Sequence, residues 1–395
     1  MLIYQLLTIL LTFSLPFLSE QFVNISIKSS IIVYAIMLLP VFFRAFLEDI
    51  KRKFIPSILF AVFLMTSTIS TIFSTNLDQS VMQLLLFYSY FIIFVSIRLI
   101  FPSLKDKEIF IYSFLLLIFV LSLISSYNTL IRQFVDKRFL NFIWVYRGHN
   151  HLSALLVFAI PLILNFLNKY WHRKRGRIIL LLIVCFLIVS LLLTFSIGGM
   201  LSLAISFLLV LILFRQTTFS KKFLLKKAYL TVFLIITFLS ISSFFLFSET
   251  KGLKTLNFQK NPQTHLKARL IYSQAAYDNF LKNPLYGSGL ETFQDVFAKI
   301  GDKGGAARTS HAHNFFIQML TDGGIFVFLT SIMLISSILF LAAKKAFEIK
   351  NFLYVALFSG LLSSSIFSMI DLDWHVPMVF LYFWIFAALS TNYAE

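Results

Sequence analysis

Twelve apolar runs, most of them near the length that crosses a bilayer, constrain this chain more than any other feature. They cover roughly 2–19, 29–47, 54–73, 81–101, 109–128, 150–168, 178–195, 199–214, 229–247, 315–341, 352–370 and 376–390. A hydrocarbon core about 30 Å thick takes about 20 helical residues. Lipid offers no partner to a backbone N–H or C=O, so only helices or a closed barrel can span it. The runs lack the period-two alternation of barrel strands. The expectation is an all-α polytopic membrane protein with about twelve transmembrane helices. Composition agrees: 13% of residues are charged, against about 25% in soluble domains.

Charge placement orients the helices. The formal net charge is +17, which in a soluble protein would suggest nucleic acid. Here Lys and Arg crowd every second connection: Arg44, Lys51, Arg52 and Lys53; Arg98, Lys105 and Lys107; Lys169, Arg173, Lys174, Arg175 and Arg177; Arg215, Lys221, Lys222, Lys226 and Lys227; Lys344, Lys345 and Lys350. The short intervening connections hold few. By the positive-inside rule both termini are cytoplasmic, and no nucleic-acid partner is implied. The first run lacks a basic leader and a small-residue cleavage site, so it reads as a retained span. Cys185 lies inside an apolar run and reads as a small packing residue.

One long polar stretch remains, 248–314, on the outward, periplasmic side. It divides the chain into helices one to nine (1–247), a loop (248–314) and helices ten to twelve (315–395). The loop reads as two amphipathic helices. The first covers 265–282, capped by Thr264, with Leu266, Leu270, Ala276, Tyr277 and Phe280 as its apolar stripe. Asn283-Pro284 stops it, Gly287 and Gly289 turn the chain, and a second helix runs over 291–300. Such a pair would lie on membrane lipids as a lid.

Other outward segments carry polar groups: 129–151, with Arg147 and His149-Asn150-His151; Ser196-Ile197-Gly198-Gly199; and Asp371-Leu372-Asp373-Trp374-His375. No Lys or Arg falls mid-span, and no inverted repeat relates the halves. Both points count against a lipid-linked oligosaccharide flippase or another transporter, which keeps ionisable groups at bilayer depth. Ser310 lies near two histidines, but no G-x-S-x-G elbow supports a serine hydrolase.

The order of motifs resembles the O-antigen ligase/O-antigen polymerase superfamily. It reads Arg269-x-x-Tyr272-x-x-Ala275, Pro284-x-x-Gly287-x-Gly289-x-x-x-Phe293, His311-x-His313-Asn314-x-x-x-Gln318 and Asp322-Gly323-Gly324, with Asn150-His151-Leu152-Ser153-Ala154 opening an earlier span. The resemblance implies a GT-C-like fold, that of metal-independent membrane glycosyltransferases. It also implies transfer of a glycan from a polyprenyl-diphosphate (undecaprenyl-diphosphate) carrier to the lipid A core or another glycan acceptor. A ligase is the first expectation and a repeat-unit polymerase the alternative. Neither cofactor nor metal is implied. Three departures stand out: Ile197 replaces a family arginine that helps hold the diphosphate, Asp322 replaces a glutamate, and Val327 stands where ligases often have glycine.

Such a transfer needs cations against the diphosphate, best supplied by arginine, and a group to take a hydroxyl proton, for which histidine is suited. The resemblance assigns the proton to His313 and the diphosphate to Arg269. Arg308, His311, Asn314, Arg147 and His151 are supporting candidates, with Arg147 a positional stand-in for the arginine missing at 197. Asp371, Asp373 and His375 are candidates to orient the histidine or bind sugar hydroxyls. His311 and His313 alone do not make a metal site, because no third ligand lies close in sequence.

Overall fold

The computed structural model describes residues 1–17, 23–131, 149–194, 196–213, 262–300, 309–349, 351–371 and 373–392. Among these residues it is helical with no strand. The helices are α1 (Leu2–Ser14), α2 (Val23–Lys51), α3 (Ile55–Ile72), α4 (Leu77–Ile100), α5 (Leu104–Ile131), α6 (His149–Lys169), α7 (Lys174–Leu193), α8 (Ile197–Leu213), α9 (Pro262–Lys282), α10 (Phe293–Ile300), α11 (Phe315–Ile349), α12 (Phe352–Ser368) and α13 (Pro377–Thr391). Seven are long and apolar enough to cross a membrane, and four further apolar helices are shorter. Together they match every predicted span except 229–247, which lies outside the described residues, as do 248–261, Arg147 and Arg308.

The centre of the bundle is α6, α12 and α13, nearly all of whose residues are buried. In α12 the buried residues include Ser359, Ser363, Ser364 and Ser365. Small side chains let backbones approach where lipid gives no hydrophobic drive; Ser206 on α8 accordingly donates to the Ser359 carbonyl at 2.8 Å. Cys185 is exposed on α7 rather than packed inside, because that helix keeps only one face against its neighbours.

The end of the bundle away from the polar loop carries charges of its own. Arg98 and Asp49, each 1% exposed, pair at 2.6 Å. Ser57 donates to the same carboxylate, and the guanidinium lies over the Phe54 ring. Lys107 donates to the Tyr354 hydroxyl at 2.8 Å. The sequence treats Arg98 and Lys107 as loop charges. They sit at helix ends as expected, but the surrounding helices enclose them.

At the other end, α9 and α10 dock onto the bundle. Helix α9 begins at Pro262, earlier than expected, so Thr264 falls in the first turn instead of capping it; proline suits a first helical position. Its buried face shares Ala276 with the predicted stripe but otherwise differs from it. Leu270 and Tyr277 are 63% and 51% exposed. The buried residues are Tyr272, Ala275 and Ala276, packed with Phe293, Phe297 and Ala312. The stripe was laid out against the wrong neighbour: α9 turns its small residues inward, where α10 and α11 come close.

The glycine motifs lock this dock. Helix α11 is two helices joined at Gly324, where φ is 72° and ψ −171°. The 284–289 turn threads into that break. Ser288 and Gly289 donate to the carbonyls of Thr321 (3.2 Å) and Asp322 (2.9 Å), and Ile325 donates to that of Pro284 (2.9 Å). A Cβ on Gly287 would lie 2.2 Å from the Asp322 oxygen, and one on Gly324 would lie 2.3 Å from the Leu285 oxygen. Val327 fills the space beside Gly323. On the α4 side, Thr75 donates to Ser288 and Asn76 to Asp295 at 3.0 Å.

Candidate active site

The turn after α12 is held from below. Trp374 donates its indole N–H to Ser364 at 2.8 Å and packs against Phe315, Phe380 and Phe383. This anchor fixes Asp371, whose side chain is 3% exposed. Its Oδ2 accepts from Arg269 Nη2 on α9 at 2.8 Å and from Asn150 Nδ2 on α6 at 2.7 Å. Its Oδ1 lies 3.1 Å from His313 Nδ1. One carboxylate therefore joins three segments that are far apart in sequence. A buried carboxylate is tolerated only when paired and hydrogen-bonded in this way.

His313 is held on each side. Its φ of 54° is in the left-handed region, uncommon for a residue with a side chain though histidine is among those enriched there. Tyr272 stacks on the ring, centroids 5.4 Å apart. The next residue, Asn314, caps α11 by accepting from the N–H groups of Phe316 and Ile317. Its amide donates to the Met369 carbonyl at 2.7 Å. Asn314 thus has backbone partners at both ends of its amide and holds the segment that carries His313.

With Asp371 at Nδ1, the ionised carboxylate can only accept, so Nδ1 carries the proton and Nε2 is left as a base. Arg269 spends one N–H on Asp371 and retains others on its planar fork. A stripe through Leu266, Leu270 and Phe280 would leave Arg269 on the polar side of α9. Arg269 instead shares the bundle-facing side with Tyr272, at i and i+3.

Asp322 organises a second cluster. Its Oδ2 accepts from the Glu291 N–H at 3.0 Å and from Gln318 at 2.7 Å. Gln318 in turn accepts from the Ala312 N–H at 2.7 Å, between the two histidines. Glu291 is held at φ 62°, just before α10 and not within it as predicted. Its carboxylate faces His311 Nδ1 at 3.5 Å and His375 Nδ1 at 3.8 Å, and the two imidazoles stack with centroids 4.3 Å apart. Asp373, two residues from Asp371, is buried. Burial, and then the Asp371 charge, push its carboxyl well above the usual carboxylate range. His151 follows Asn150 on α6 and is half-buried.

Sequence reasoning singled out His313 and Arg269 as candidates, which the fold brings together on one carboxylate, and weighed Asp371 without separating it from Asp373. It had no signal for Glu291 or for Tyr272 as the stacking partner. The first is brought in by a turn conformation, and the second belonged only to a motif.

These geometries carry a pH dependence. Burial, then the neighbouring His375, push His311 down from 6.5 to about 4, although Glu291 pulls the other way. Burial would raise Glu291, but His311 and His375 together bring it down from 4.5 to about 2, with Lys28 adding to the pull. Both groups titrate lower in the folded chain, so the unfolded chain binds more protons between the two values and stability falls as pH falls. For His311 the window is about 6.5 to 4; for Glu291 it lies below 4.5. The melting temperature of the detergent-solubilised protein should therefore drop as pH goes from 6.5 to 4, and His311→Asn should flatten that drop. An identical slope in the variant would assign the loss elsewhere.

With this geometry in hand, comparison with known proteins gives one family. Residues 180–332 match the family model described as O-antigen ligase. This match, over less than half of the chain, supports a relation to the O-antigen ligase superfamily. A search of curated proteins found no match. The matched stretch holds Arg269, Glu291, His311 and His313 and ends within α11. Asp371, His375 and Asn150 lie beyond it and reach the site through the fold. The superfamily supports an activity of the O-antigen ligase or polymerase type in a multi-helix membrane protein, on lipid-linked glycan and acceptor substrates.

Proposed function

We propose that the chain transfers a glycan from a polyprenyl-diphosphate carrier to an acceptor hydroxyl, most simply the ligation of O-antigen to the lipid A core. The observation that carries this reading is the convergence of His313 and Arg269 on the Asp371 carboxylate. It pairs an oriented base with a guanidinium suited to phosphate. In the proposed step, the acceptor oxygen attacks the anomeric carbon while its proton passes to His313 Nε2. The bond from that carbon to the diphosphate oxygen breaks, and its electron pair leaves on the diphosphate. Arg269 balances that developing charge. One displacement inverts the anomeric carbon. The bond energy already resides in the diphosphate linkage, so the step needs neither metal nor nucleotide. Arg308 and Arg147 are proposed as further diphosphate contacts and His151 as a lining residue. The site opens on the periplasmic side of the inner membrane, in the 248–314 loop between the two sets of helices, with both termini cytoplasmic.

A repeat-unit polymerase would use the same groups on a lipid-linked acceptor. Deleting the gene and resolving surface polysaccharide on a gel distinguishes them. Loss of long chains from lipid A with carrier-linked polymer retained marks a ligase; core bearing a single repeat marks a polymerase; an unchanged pattern refutes both. Arg269→Ala and His313→Ala should each abolish transfer in complemented cells while the protein still accumulates in the membrane. Normal polysaccharide from either variant would remove that residue from the mechanism.

A further inference from the structure

Beyond the transfer site, one cluster has the make-up of a ligand set that the proposed chemistry does not use. We propose that Glu291, His311 and His375 bind one divalent transition-metal ion of the zinc class, which clips the α9–α10 turn and the segment entering α11 to the turn between α12 and α13.

Spacing is the first argument. One candidate donor atom from each of the three residues falls within 4.8 Å of the other two. The Glu291 oxygens lie 3.5 Å from His311 Nδ1 and 3.8 Å from His375 Nδ1. Both separations are too long for hydrogen bonds. Close by, Asp371 meets His313 and Arg269 at 3.1 and 2.8 Å, so the same fold does close ion pairs where it forms them. Ligands about 2.05 Å from a tetrahedral zinc are about 3.4 Å apart. The Glu291 separations are therefore near those of groups sharing an ion.

The second argument is unsatisfied polarity. His375 has a side chain only 2% exposed. Among the described residues His311 Nδ1, the atom that faces Glu291, is a buried ring nitrogen without a hydrogen-bond partner. Buried polar atoms are paired in the great majority of cases, and a metal would supply the missing partner. The donor set, two imidazoles and one carboxylate, is a known zinc set with a fourth position left for water.

The third argument is pre-organisation. Glu291 is held in a left-handed conformation by Asp322, and the same carboxylate fixes the His311 segment through Gln318. The imidazoles are stacked 14° from parallel, so the rings must splay to bring an ion into both planes. His311, the more exposed of the two, is the ring with room to turn.

The test uses the full-length chain in detergent, stripped of metal and titrated with Zn2+ against a chromophoric chelator. One Zn2+ per chain is expected. Glu291→Gln, His311→Asn and His375→Asn should each weaken binding at least about 100-fold, since even outer partners of metal ligands cost about 10–100-fold. Zn2+ should raise the melting temperature of the parent chain and not of the variants. His172→Ala, remote at the α6–α7 connection, should bind as the parent does. The proposal is overturned if the parent chain takes up no stoichiometric Zn2+, if Glu291→Gln and His375→Asn bind as tightly as the parent, or if His172→Ala loses the site. The parent titration stands even where a variant fails to fold. Because uptake is read without any glycan, its failure leaves the transfer reaction untouched, and the loss of transfer in His313→Ala says nothing about the metal.

Discussion

Asp371→Asn is expected to lower glycan transfer by about 10³–10⁴-fold, the scale seen when an aspartate that orients a catalytic histidine is made neutral. The change is isosteric, so the turn held by Trp374 should persist. What changes is the direction of the hydrogen bonds. An asparagine that turns its amide N–H toward Nδ1 forces the ring proton onto Nε2, and the base is lost. If it turns the oxygen toward His313 instead, the amide group points at Arg269 and Asn150, two donors that now meet donors. Either arrangement also removes the charge that balances Arg269. The measurement is transfer in membranes or complemented cells, with accumulation and melting temperature as folding controls. Asp373→Asn is the companion variant. Burial disfavours the charged form of that carboxyl, so the neutral replacement should retain most activity. Equal losses in the two variants would show that the turn, rather than the Asp371 charge, is what matters.

Gly324→Ala is expected to be among the most damaging methyl additions at the described glycines. The residue sits at φ 72° and ψ −171°, a region essentially reserved for glycine. The new Cβ would also lie 2.3 Å from the oxygen and 2.5 Å from the carbon of Leu285. Those are backbone atoms, so no side chain can swing aside. Relief requires the 284–289 turn to leave the break in α11, which frees Glu291 and the docked end of α9. Backbone strain alone costs about 1–3 kcal/mol, and the overlap adds to it. Accumulation in the membrane should fall sharply, and the remaining protein should be cut by protease within α9–α10. Gly176→Ala is the control, since a Cβ there meets only ordinary contacts, at 3.6 Å and beyond. A Gly324→Ala protein with the parent's melting temperature would contradict the interlock.

Much of the architecture was legible because lipid is a strict solvent. Apolar runs of the right length have to be helices, and the described helices other than α9 and α10 coincide with those runs. The failures cluster where helices meet one another instead of lipid. The α9 stripe was assigned by hydrophobicity, and Ala276 does face inward, but so do Ala275 and Tyr272, while Leu270 and Tyr277 face out. Hydropathy cannot tell a surface against lipid from a surface against protein. The charges at Arg98 and Lys107 were legible as helix-end charges, but their enclosure by Asp49, Ser57 and Tyr354 was not. Cys185 failed for the same reason: an apolar run says nothing about which side faces the bundle.

Sequence alone sufficed for the helical class, and it singled out the long polar stretch and the His313 and Arg269 pair as candidates, because each depends on local composition or on a short motif. Only the tertiary structure decided that Asp371, not Asp373, orients the histidine, that Asn314 serves the backbone, and that Glu291 meets His311 and His375. Those contacts join residues tens to hundreds of positions apart. Their register is set by helix packing and by turns at glycine, which short-range sequence patterns do not encode.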